Sequence, residues 1–253
     1  MSKVLITEAY LEDIAAALRN KSGGGSTYTP AEMAGAILNL PSGGTDNVPK
    51  YAMGTIIDSE VDWSQITSMR DSAFYMCRQL TTVGNPTVRS LPNSCFRYCT
   101  GLTNAEITCT DILQTYCGSL FRNCTELLTA IIHFSYTGNG DVTFGDNYIF
   151  GNCSKLHTVI LTRTHATKTI ILKANFMFDG ASALRNLVLK SPNMVTFSNG
   201  QNAYAWGGIW DNPTESTIYV PNALISSYQT ATNWVTLYNR GVTFAKIEGS
   251  IYE

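Results

Sequence analysis

The stretch Phe74-Tyr-Met-Cys77-Arg-Gln-Leu80 decides the fold, because its Phe-x-x-Cys-x-x-Leu frame returns down the chain. The later copies are Phe96 with Cys99 and Leu102, Phe121 with Cys124 and Leu127, Phe150 with Cys153 and Leu156, and Phe178 with Ala181 and Leu184, the last with Ala in the Cys position. The Phe positions 74, 96, 121, 150 and 178 are 22, 25, 29 and 28 residues apart. Constant anchors with spacers of different length indicate stacked coils joined by loops.

Apolar residues extend the frame in both directions. The residues eight before each Phe are Ile66, Val88, Leu113, Val142 and Ile170. After each Leu, apolar residues alternate with polar ones, as in Ala105 and Ile107, Ala130 and Ile132, Val159 and Leu161, and Leu187 and Leu189. A period of two places alternate side chains on one face of a strand. Each coil therefore carries a short strand, and five or six parallel coils stacked at about 4.8 Å predict a rod roughly 25 to 30 Å long.

Four of the seven cysteines occupy the same position of the frame: Cys77, Cys99, Cys124 and Cys153. We interpret them as reduced, buried thiols that act as small apolar core residues. A zinc site needs clustered pairs, and the pair Cys95 and Cys99 has no second pair. Disulfides between coils are the remaining alternative, although reduced thiols suit synthesis in a reducing cytoplasm.

Composition excludes several classes of function. Hydrophobic residues make up 44% of the chain and charged residues only 14%, with a net charge of −2. The hydrophobic content is ample for a buried core, and no basic field exists to hold nucleic acid or an anionic membrane. The chain has no apolar run long enough for a membrane span, and its first residues lead into an acidic helix. We therefore expect a soluble protein without an export signal.

The first forty or so residues do not follow the repeat. Leu11, Ile14 and Leu18 define one apolar helix face, and Met33 and Ile37 define the face of a second helix. The second helix has a complete start signal in Thr29, Pro30 and Glu32. We predict a helical hairpin over residues 1–41, a linker over 42–50 and a solenoid with a C-terminal cap over 51–253.

Several local features have their own expectations. Alternation of Ile57, Ser59, Val61 and Trp63 predicts a first strand or cap for the array. That strand would place Asp58, Glu60 and Asp62 on one face. We interpret these carboxylates as the solvent-exposed face of an edge strand rather than as a calcium site. The segment Tyr136–Asp141 is predicted to be a protruding turn. Ile218 to Val220 is predicted to be the last strand, followed by a short helix from Pro221 to about Thr230, with Val242 to Ile247 ending the array.

No pattern of catalytic residues is present in the sequence. The histidines at 133, 157 and 165 come from strand or spacer positions, and we expect them to face solvent. Nucleophile elbows, phosphate loops and zinc-protease motifs are missing, so we predict no enzyme activity, no cofactor and no metal. The aromatic residues Tyr204, Trp206 and Trp210 are the best candidates for partner binding, together with Tyr136 and Asn139 of the turn. The competing interpretation is that Trp206 and Trp210 fill the end of the array as core residues. We favour this interpretation for Trp210, which aligns with the frame Phe position, and leave both alternatives open for Trp206.

The extended frame resembles the BspA-type leucine-rich repeat of bacterial surface proteins over about residues 55–247. The segment Ile218-Tyr-Val-Pro221 through Tyr228, followed by Trp234, is similar to the closing part of such arrays. The resemblance implies a mainly β or α+β repeat fold: a single-stack leucine-rich-repeat solenoid preceded by a small α-helical hairpin.

The hairpin resembles the amino-terminal hairpins of tail-associated proteins in phages and prophages of Gram-positive bacteria. This likeness implies a non-enzymatic virion protein that docks on tail or baseplate proteins through residues 1–41. Its solenoid would bind host-surface carbohydrate or protein, and a homo-oligomer such as a trimer is plausible for a tail component. A bacterial surface adhesin or secreted interaction module is the alternative, and an envelope-degrading enzyme is a third reading.

Overall fold

The computed structural model describes residues 56–111, 117–145, 147–173, 176–198, 209 and 211–253. The chain divides into two units, Met1–Pro49 and Lys50–Glu253, and every described residue belongs to the second. The predicted hairpin and linker lie outside the described residues.

A seven-stranded parallel sheet runs through the described unit, with strand order β1-β2-β3-β5-β7-β9-β10. Its strands are β1 (Thr82–Val88), β2 (Asn104–Cys109), β3 (Thr129–Phe134), β5 (Thr158–Arg163), β7 (Asn186–Lys190), β9 (Thr217–Val220) and β10 (Thr243–Lys246). The strands predicted from alternating apolar pairs are confirmed as β2, β3, β5 and β7. The predicted last strand is β9, but β10 pairs beside it, so the sheet exceeds the expected five or six strands.

One apolar column crosses the whole sheet in continuous register. Its members pair strand to strand and are all buried: Val83, Ala105, Ala130, Val159, Leu187, Ile218 and Phe244. A shift between Gly84 and Thr87 is the irregularity within β1. Because the side-chain period of a strand is two, this register turns every second residue away from the core.

The Phe residues of the frame form one stack through the core. Phe74, Phe96, Phe121, Phe150 and Phe178 are each fully buried. Consecutive ring centroids are 5.2, 5.4, 5.6 and 5.5 Å apart, and the interplanar angles are 7–13°. A single coil would leave these rings exposed, so each ring is buried only because its neighbours cover it.

The Leu residues that close each copy of the frame are also core residues. All five are fully buried, as the frame predicts: Leu80, Leu102, Leu127, Leu156 and Leu184. Each donates its amide to the carbonyl three residues earlier, which belongs to the frame Cys or, in the last copy, to Ala181. The N–O distances are 3.2 Å for Leu80, 3.0 Å for Leu102, 3.2 Å for Leu127, 3.0 Å for Leu156 and 3.1 Å for Leu184. The same tight turn therefore leads from every frame into the strand that follows it.

Main-chain hydrogen bonds join the turn segments that carry the Phe residues. The amides of the first four frame Phe residues donate to the carbonyl just before the next frame Phe, as in Phe96 N to Leu120 O at 2.9 Å and Phe121 N to Ile149 O at 2.8 Å. Residues two before and two after these Phe residues have positive φ, including Ser94 (51°) and Tyr98 (63°). Alternating left-handed residues aim every second amide at the next coil, which satisfies main-chain donors without a helix.

The cysteine prediction is confirmed. All seven cysteines lie in the described part of the chain as buried thiols, outside any disulfide. The frame thiols point along the stack, and Cys99 Sγ donates to Phe74 O while Cys153 Sγ donates to Phe121 O, both at 3.0 Å. Burial raises the pKa of Cys153 to about 12, so the thiol stays protonated and acts as a core residue.

A second parallel sheet of three short strands was not predicted. It consists of β4 (Val142–Phe144), β6 (Ile170–Leu172) and β8 (Thr196–Phe197), in that order. Val142 pairs with Ile170, and both are fully buried. Val142 and Ile170, which lie eight residues before Phe150 and Phe178, therefore line a second side of the core.

Tyr51 to Trp63 is expected from the sequence to form a first strand or a cap, and the strand alternative is wrong where it can be checked. Two 3-10 helices, Asp58–Glu60 and Trp63–Gln65, occupy residues from 58 to 65. Asp62 caps the second helix by accepting a hydrogen bond from Ser64 N at 3.1 Å. Trp63 covers the end of the Phe stack, with its ring centroid 5.2 Å from that of Phe74, so the segment is a cap rather than a strand.

The C-terminal cap contains more helix than predicted. A 3-10 helix, Asn222–Leu224, leads into helix Ile225–Thr230, as expected, and helix Trp234–Asn239 follows. Tyr228 and Trp234 are buried and both bond to one residue: Val195 N donates to the Tyr228 hydroxyl at 2.7 Å, and Trp234 Nε1 donates to Val195 O at 2.8 Å. These bonds fasten the cap to the chain beside β8. No helix within the described residues has the length and apolar content needed to cross a bilayer.

Candidate functional site

The outward face of the seven-stranded sheet, here called the strand face, presents side chains in straight columns. A central column consists of Gly84, Glu106, Ile131, Ile160, Val188, Tyr219 and Ala245. A polar column beside it consists of Thr82, Asn104, Thr129, Thr158, Asn186, Thr217 and Thr243. The strand face thus combines an apolar middle with a hydroxyl and amide border, on a backbone held by ladder hydrogen bonds.

A polar network crosses three neighbouring strands on this face. His133 Nε2 lies 2.8 Å from Glu106 Oε1, and His133 Nδ1 lies 2.8 Å from Thr162 Oγ1. Thr108, His133 and Thr162 are paired by register, so the imidazole is held between β2 and β5. Side-chain exposure is 31% for His133 and 42% for Glu106, so the network remains open to a partner.

The composition of this network is that of a hydrolytic triad, but its arrangement differs. The carboxylate contacts Nε2 and the hydroxyl contacts Nδ1, whereas a triad needs Nε2 to face the nucleophile. The geometry suits a set of oriented hydrogen-bonding groups better than an activated nucleophile.

The expectation that the histidines face solvent holds only in part. His157 is exposed, while His133 and His165 are half-buried. His165 Nδ1 lies 3.2 Å from the amides of Thr167 and Lys168, as part of a loop. The sequence does indicate that these three residues are neighbours. Thr108, His133 and Thr162 each lie six residues after the Leu of their own frame, so they hold the same position in consecutive coils.

Residues near the C-terminus cover one end of the strand face. Val188 holds an outward position yet is fully buried. Tyr219 packs edge-on against Tyr252 with ring centroids 4.7 Å apart, and Lys190 Nζ donates to Glu253 O at 3.3 Å. The accessible apolar part of the face is therefore centred on Ile131 and Ile160, which are half-buried.

The turn predicted at Tyr136–Asp141 exists, with bends at residues 138–140, and its expected protrusion stays a prediction. Buried Arg163 donates to Gly140 O at 2.7 Å, and Asp141 Oδ1 accepts from Thr169 N at 2.8 Å. These two bonds hold the segment on the solenoid. Tyr136 is half-buried and Asn139 is exposed, and their role in binding stays a prediction.

The three aromatic candidates Tyr204, Trp206 and Trp210 lie outside the described residues, and their role in binding stays a prediction. The same holds for the docking residues Leu11, Ile14, Leu18, Met33 and Ile37. Within the described ranges, no three His, Cys, Asp or Glu side chains are grouped as metal ligands would be.

The carboxylates expected on one strand face have separate structural roles. Asp58 Oδ1 accepts from Thr81 N at 2.8 Å and from Thr82 N at 3.1 Å, and Asp58 also bonds to the Thr81 hydroxyl. Partial burial opposes ionisation of Asp58, but these hydrogen bonds outweigh it and hold its pKa below the usual range. Glu60 accepts from Ile57 N at 3.1 Å. The grouping predicted from alternation is wrong because the segment is not extended.

Comparison with known protein families supports the repeat fold. Residues 59–157 match the model of a BspA type leucine rich repeat region (6 copies). A leucine-rich repeat protein from Bacteroides ovatus ATCC 8483, known from a crystal structure, is 15% identical with a TM-score of 0.18. That alignment covers 73% of this chain and 64% of the other, so the chain spans less than two thirds of that protein. A search of curated proteins gave no significant match.

Proposed function

We propose that this mainly β leucine-rich-repeat solenoid is a non-enzymatic structural protein of a phage tail or baseplate, whose strand face binds a host-cell receptor or glycan. The observation that carries the proposal is the strand face itself. Its columns run in register across strands that a continuous core holds rigid, so recognition needs little reordering of the protein.

Ile131 and Ile160 supply the apolar centre of the proposed contact. They are adjacent in the central column and half-buried. Asn104, Thr129 and the His133 network border them with polar groups. An apolar centre with a hydrogen-bonding rim is the usual anatomy of a protein interface.

Residues 1–41 provide the proposed attachment to tail or baseplate proteins. The support is the sequence resemblance of this segment to tail-associated hairpins and its position ahead of a Gly- and Pro-containing linker. Deletion of residues 1–45 is expected to abolish incorporation into particles while leaving the solenoid folded. A truncated chain that still copurifies with virions would contradict the docking role.

The strand face is tested separately, on the purified full chain. Ile131→Glu with Ile160→Glu is expected to abolish binding to host cells, because two carboxylates would occupy the apolar centre. Leu128→Glu is the matched control, since Leu128 is 45% exposed and precedes β3 rather than lying in the central column. Equal binding by both variants would exclude the strand face.

A bacterial surface adhesin is the second candidate function. The match of residues 59–157 to BspA type repeats favours it, given the surface role that the resemblance implies. The two candidates differ in location. Detection of the chain on the surface of cells that carry no prophage would favour the adhesin, and detection in purified particles would favour the virion protein.

An envelope-degrading enzyme receives the least support. It would have to use the Glu106, His133 and Thr162 network, whose imidazole is turned the wrong way for a triad. Activity on host envelope polysaccharide that is lost on His133→Gln would overturn the non-enzymatic proposal.

A further inference from the structure

We propose that the turn segments form a second binding surface, for an acidic polysaccharide whose sugars carry carboxylate or phosphate groups. The surface, here called the arginine patch, consists of Arg97, Tyr98, Arg122, Tyr148 and Phe176. It goes beyond the proposed function because it lies on the turn segments rather than on the strands, and its binding is measured without reference to a particle.

Arg97 and Arg122 hold the same position in consecutive coils, directly after the frame residues Phe96 and Phe121. Tyr98 N donates to Arg122 O at 2.9 Å, so the two turn segments are hydrogen-bonded neighbours. The spacing between stacked coils is about 4.8 Å. The repeat thus places the two arginines on neighbouring turn segments.

Aromatic rings support both guanidinium groups. Arg122 Cζ lies 4.5 Å from the centroid of the Tyr148 ring, and Arg97 Cζ lies 5.1 Å from that of Tyr98. Tyr148 in turn stacks on Phe176 at 5.3 Å with an interplanar angle of 10°. These contacts restrict the rotamers of the arginines, so less entropy is lost when they bind an anion.

Gly151 makes room for this stacking. It occupies the position of Arg122 in the next coil, and a Cβ at Gly151 would lie 3.0 Å from Tyr148 Cβ and 3.4 Å from Arg122 Cγ. A larger residue would crowd the arginine away from the ring.

The charges of the patch differ from those of three other cations on the solenoid. Arg89, Lys155 and Arg185 each pair with a carboxylate, namely Asp111, Glu126 and Glu215. Among the described residues, no carboxylate pairs with Arg97 or Arg122, and the Nε atoms of both are buried without a hydrogen-bond partner. Asp179 holds the equivalent position two coils beyond Arg122, about 10 Å along the stack. The patch is therefore a local positive site on a chain whose net charge is −2.

The surrounding chemistry favours a sugar over an extended peptide. An extended peptide that adds to a structure as a strand binds through main-chain hydrogen bonds, but Phe96 N and Tyr98 N already donate to the next coil. Recognition must come from side chains. Guanidinium forks bind carboxylate and phosphate oxygens in pairs, and the ring of Phe176, which is 46% exposed, offers a flat apolar surface for a sugar face.

The test is equilibrium binding of the full chain to oligogalacturonate, a phosphate-bearing glycan oligomer, neutral dextran and poly-L-glutamate of similar size. We expect binding to one or both acidic glycans that weakens with added salt, and little binding to dextran. Arg97→Gln with Arg122→Gln is expected to weaken glycan binding by roughly tenfold or more, since each change removes charge-assisted hydrogen bonds. The glycan that binds identifies carboxylate or phosphate as the recognised group.

Arg89→Gln is the matched control, because Arg89 is more exposed and paired with Asp111. Arg89→Gln is expected to leave the glycan affinity within about twofold of that of the unsubstituted chain, because an exposed ion pair contributes little. Thermal unfolding of each variant shows whether the fold is retained. Four outcomes would overturn the proposal. They are an equal loss of glycan binding in the Arg89 variant and in the double variant, binding of dextran as tight as that of the acidic glycans, no binding of either acidic glycan, and tighter binding of poly-L-glutamate than of the glycans.

Discussion

The Sγ atom of Cys124 donates a hydrogen bond to the main-chain oxygen of Phe96 on the preceding coil, at 3.0 Å. The thiol is fully buried and also satisfies a buried carbonyl. Burial raises the pKa of Cys124 well above its ordinary value, so the thiolate that reagents attack is scarce in the folded protein.

We predict that the frame thiols do not react with a disulfide reagent such as DTNB at pH 8 in the folded chain. They should all react once urea unfolds the solenoid, because unfolding removes the burial that suppresses ionisation. The measurement is the number of thiols titrated with and without denaturant. Rapid labelling of Cys124 without denaturant would show that the core opens readily.

Phe121→Ala should destabilise the solenoid by about 3 to 5 kcal/mol, the usual cost of removing a buried aromatic side chain. Phe121 stacks against Phe96 and Phe150 on its two sides, so its loss interrupts the stack of rings. Urea unfolding measures the change. Phe176→Ala is the control, and because that ring is 46% exposed, a comparable loss there would contradict the explanation.

Gly84→Val should displace the Trp63 cap. A Cβ at Gly84 would lie 2.8 Å from Trp63 Cδ1, so the indole must move and expose the edge of β1. We expect a loss of about 1 to 3 kcal/mol, a red shift in tryptophan emission and self-association seen by light scattering. Ala245→Val, in the same column at the opposite edge, should leave the emission unchanged.

Asp58→Asn should lower the thermal stability at neutral pH. The pKa of Asp58 is depressed in the folded state by hydrogen bonds from Thr81 and Thr82, which outweigh the effect of burial. A depressed carboxyl pKa adds stability above the unfolded-state value, and this contribution is lost as the pH falls through the folded-state pKa, below about 4. The melting temperatures of the two proteins should therefore differ at pH 7 and converge in acid.

Glu106→Gln and Thr162→Val should each cost little stability, because the His133 network is half-exposed. A double-mutant cycle is expected to give a coupling of less than about 1 kcal/mol. A coupling of several kcal/mol would indicate a strained, desolvated network and would revive the enzymatic alternative.

Much of the described fold was predictable because its determinants repeat. Phe, Cys and Leu positions recur at each coil, and alternate apolar residues after each Leu revealed β2, β3, β5 and β7. The three-residue strands β4 and β6 are not predictable from the sequence because so short an alternation is not distinctive, although Val142 and Ile170 hold apolar positions of the extended frame.

The sequence pattern is a poor guide where individual side-chain bonds, rather than periodicity, determine local structure. Asp58 and Asp62 bond to backbone amides and favour short 3-10 helices, so the alternation around Trp63 suggested a strand that does not form. Arg163 is buried because it reaches Gly140 O, a contact between spacers that no local pattern reveals. The alternation after each frame Leu implies that a strand face exists. The hydrogen bonds of His133 depend in addition on the register between β2, β3 and β5, which the sequence of one strand does not reveal.

The bonds between turn segments have a fixed direction, since each frame Phe from Phe74 to Phe150 donates to the residue before the next frame Phe. Each inner coil thus accepts a main-chain hydrogen bond from the coil before it and donates one to the coil after it. The donor is always the frame Phe, and the acceptor is always the residue before the next frame Phe. A coil duplicated or removed as a whole would leave these bonds satisfied, whatever the length of its spacer. The array is in this sense modular: its reach is adjustable in whole coils, while the two end caps stay unchanged.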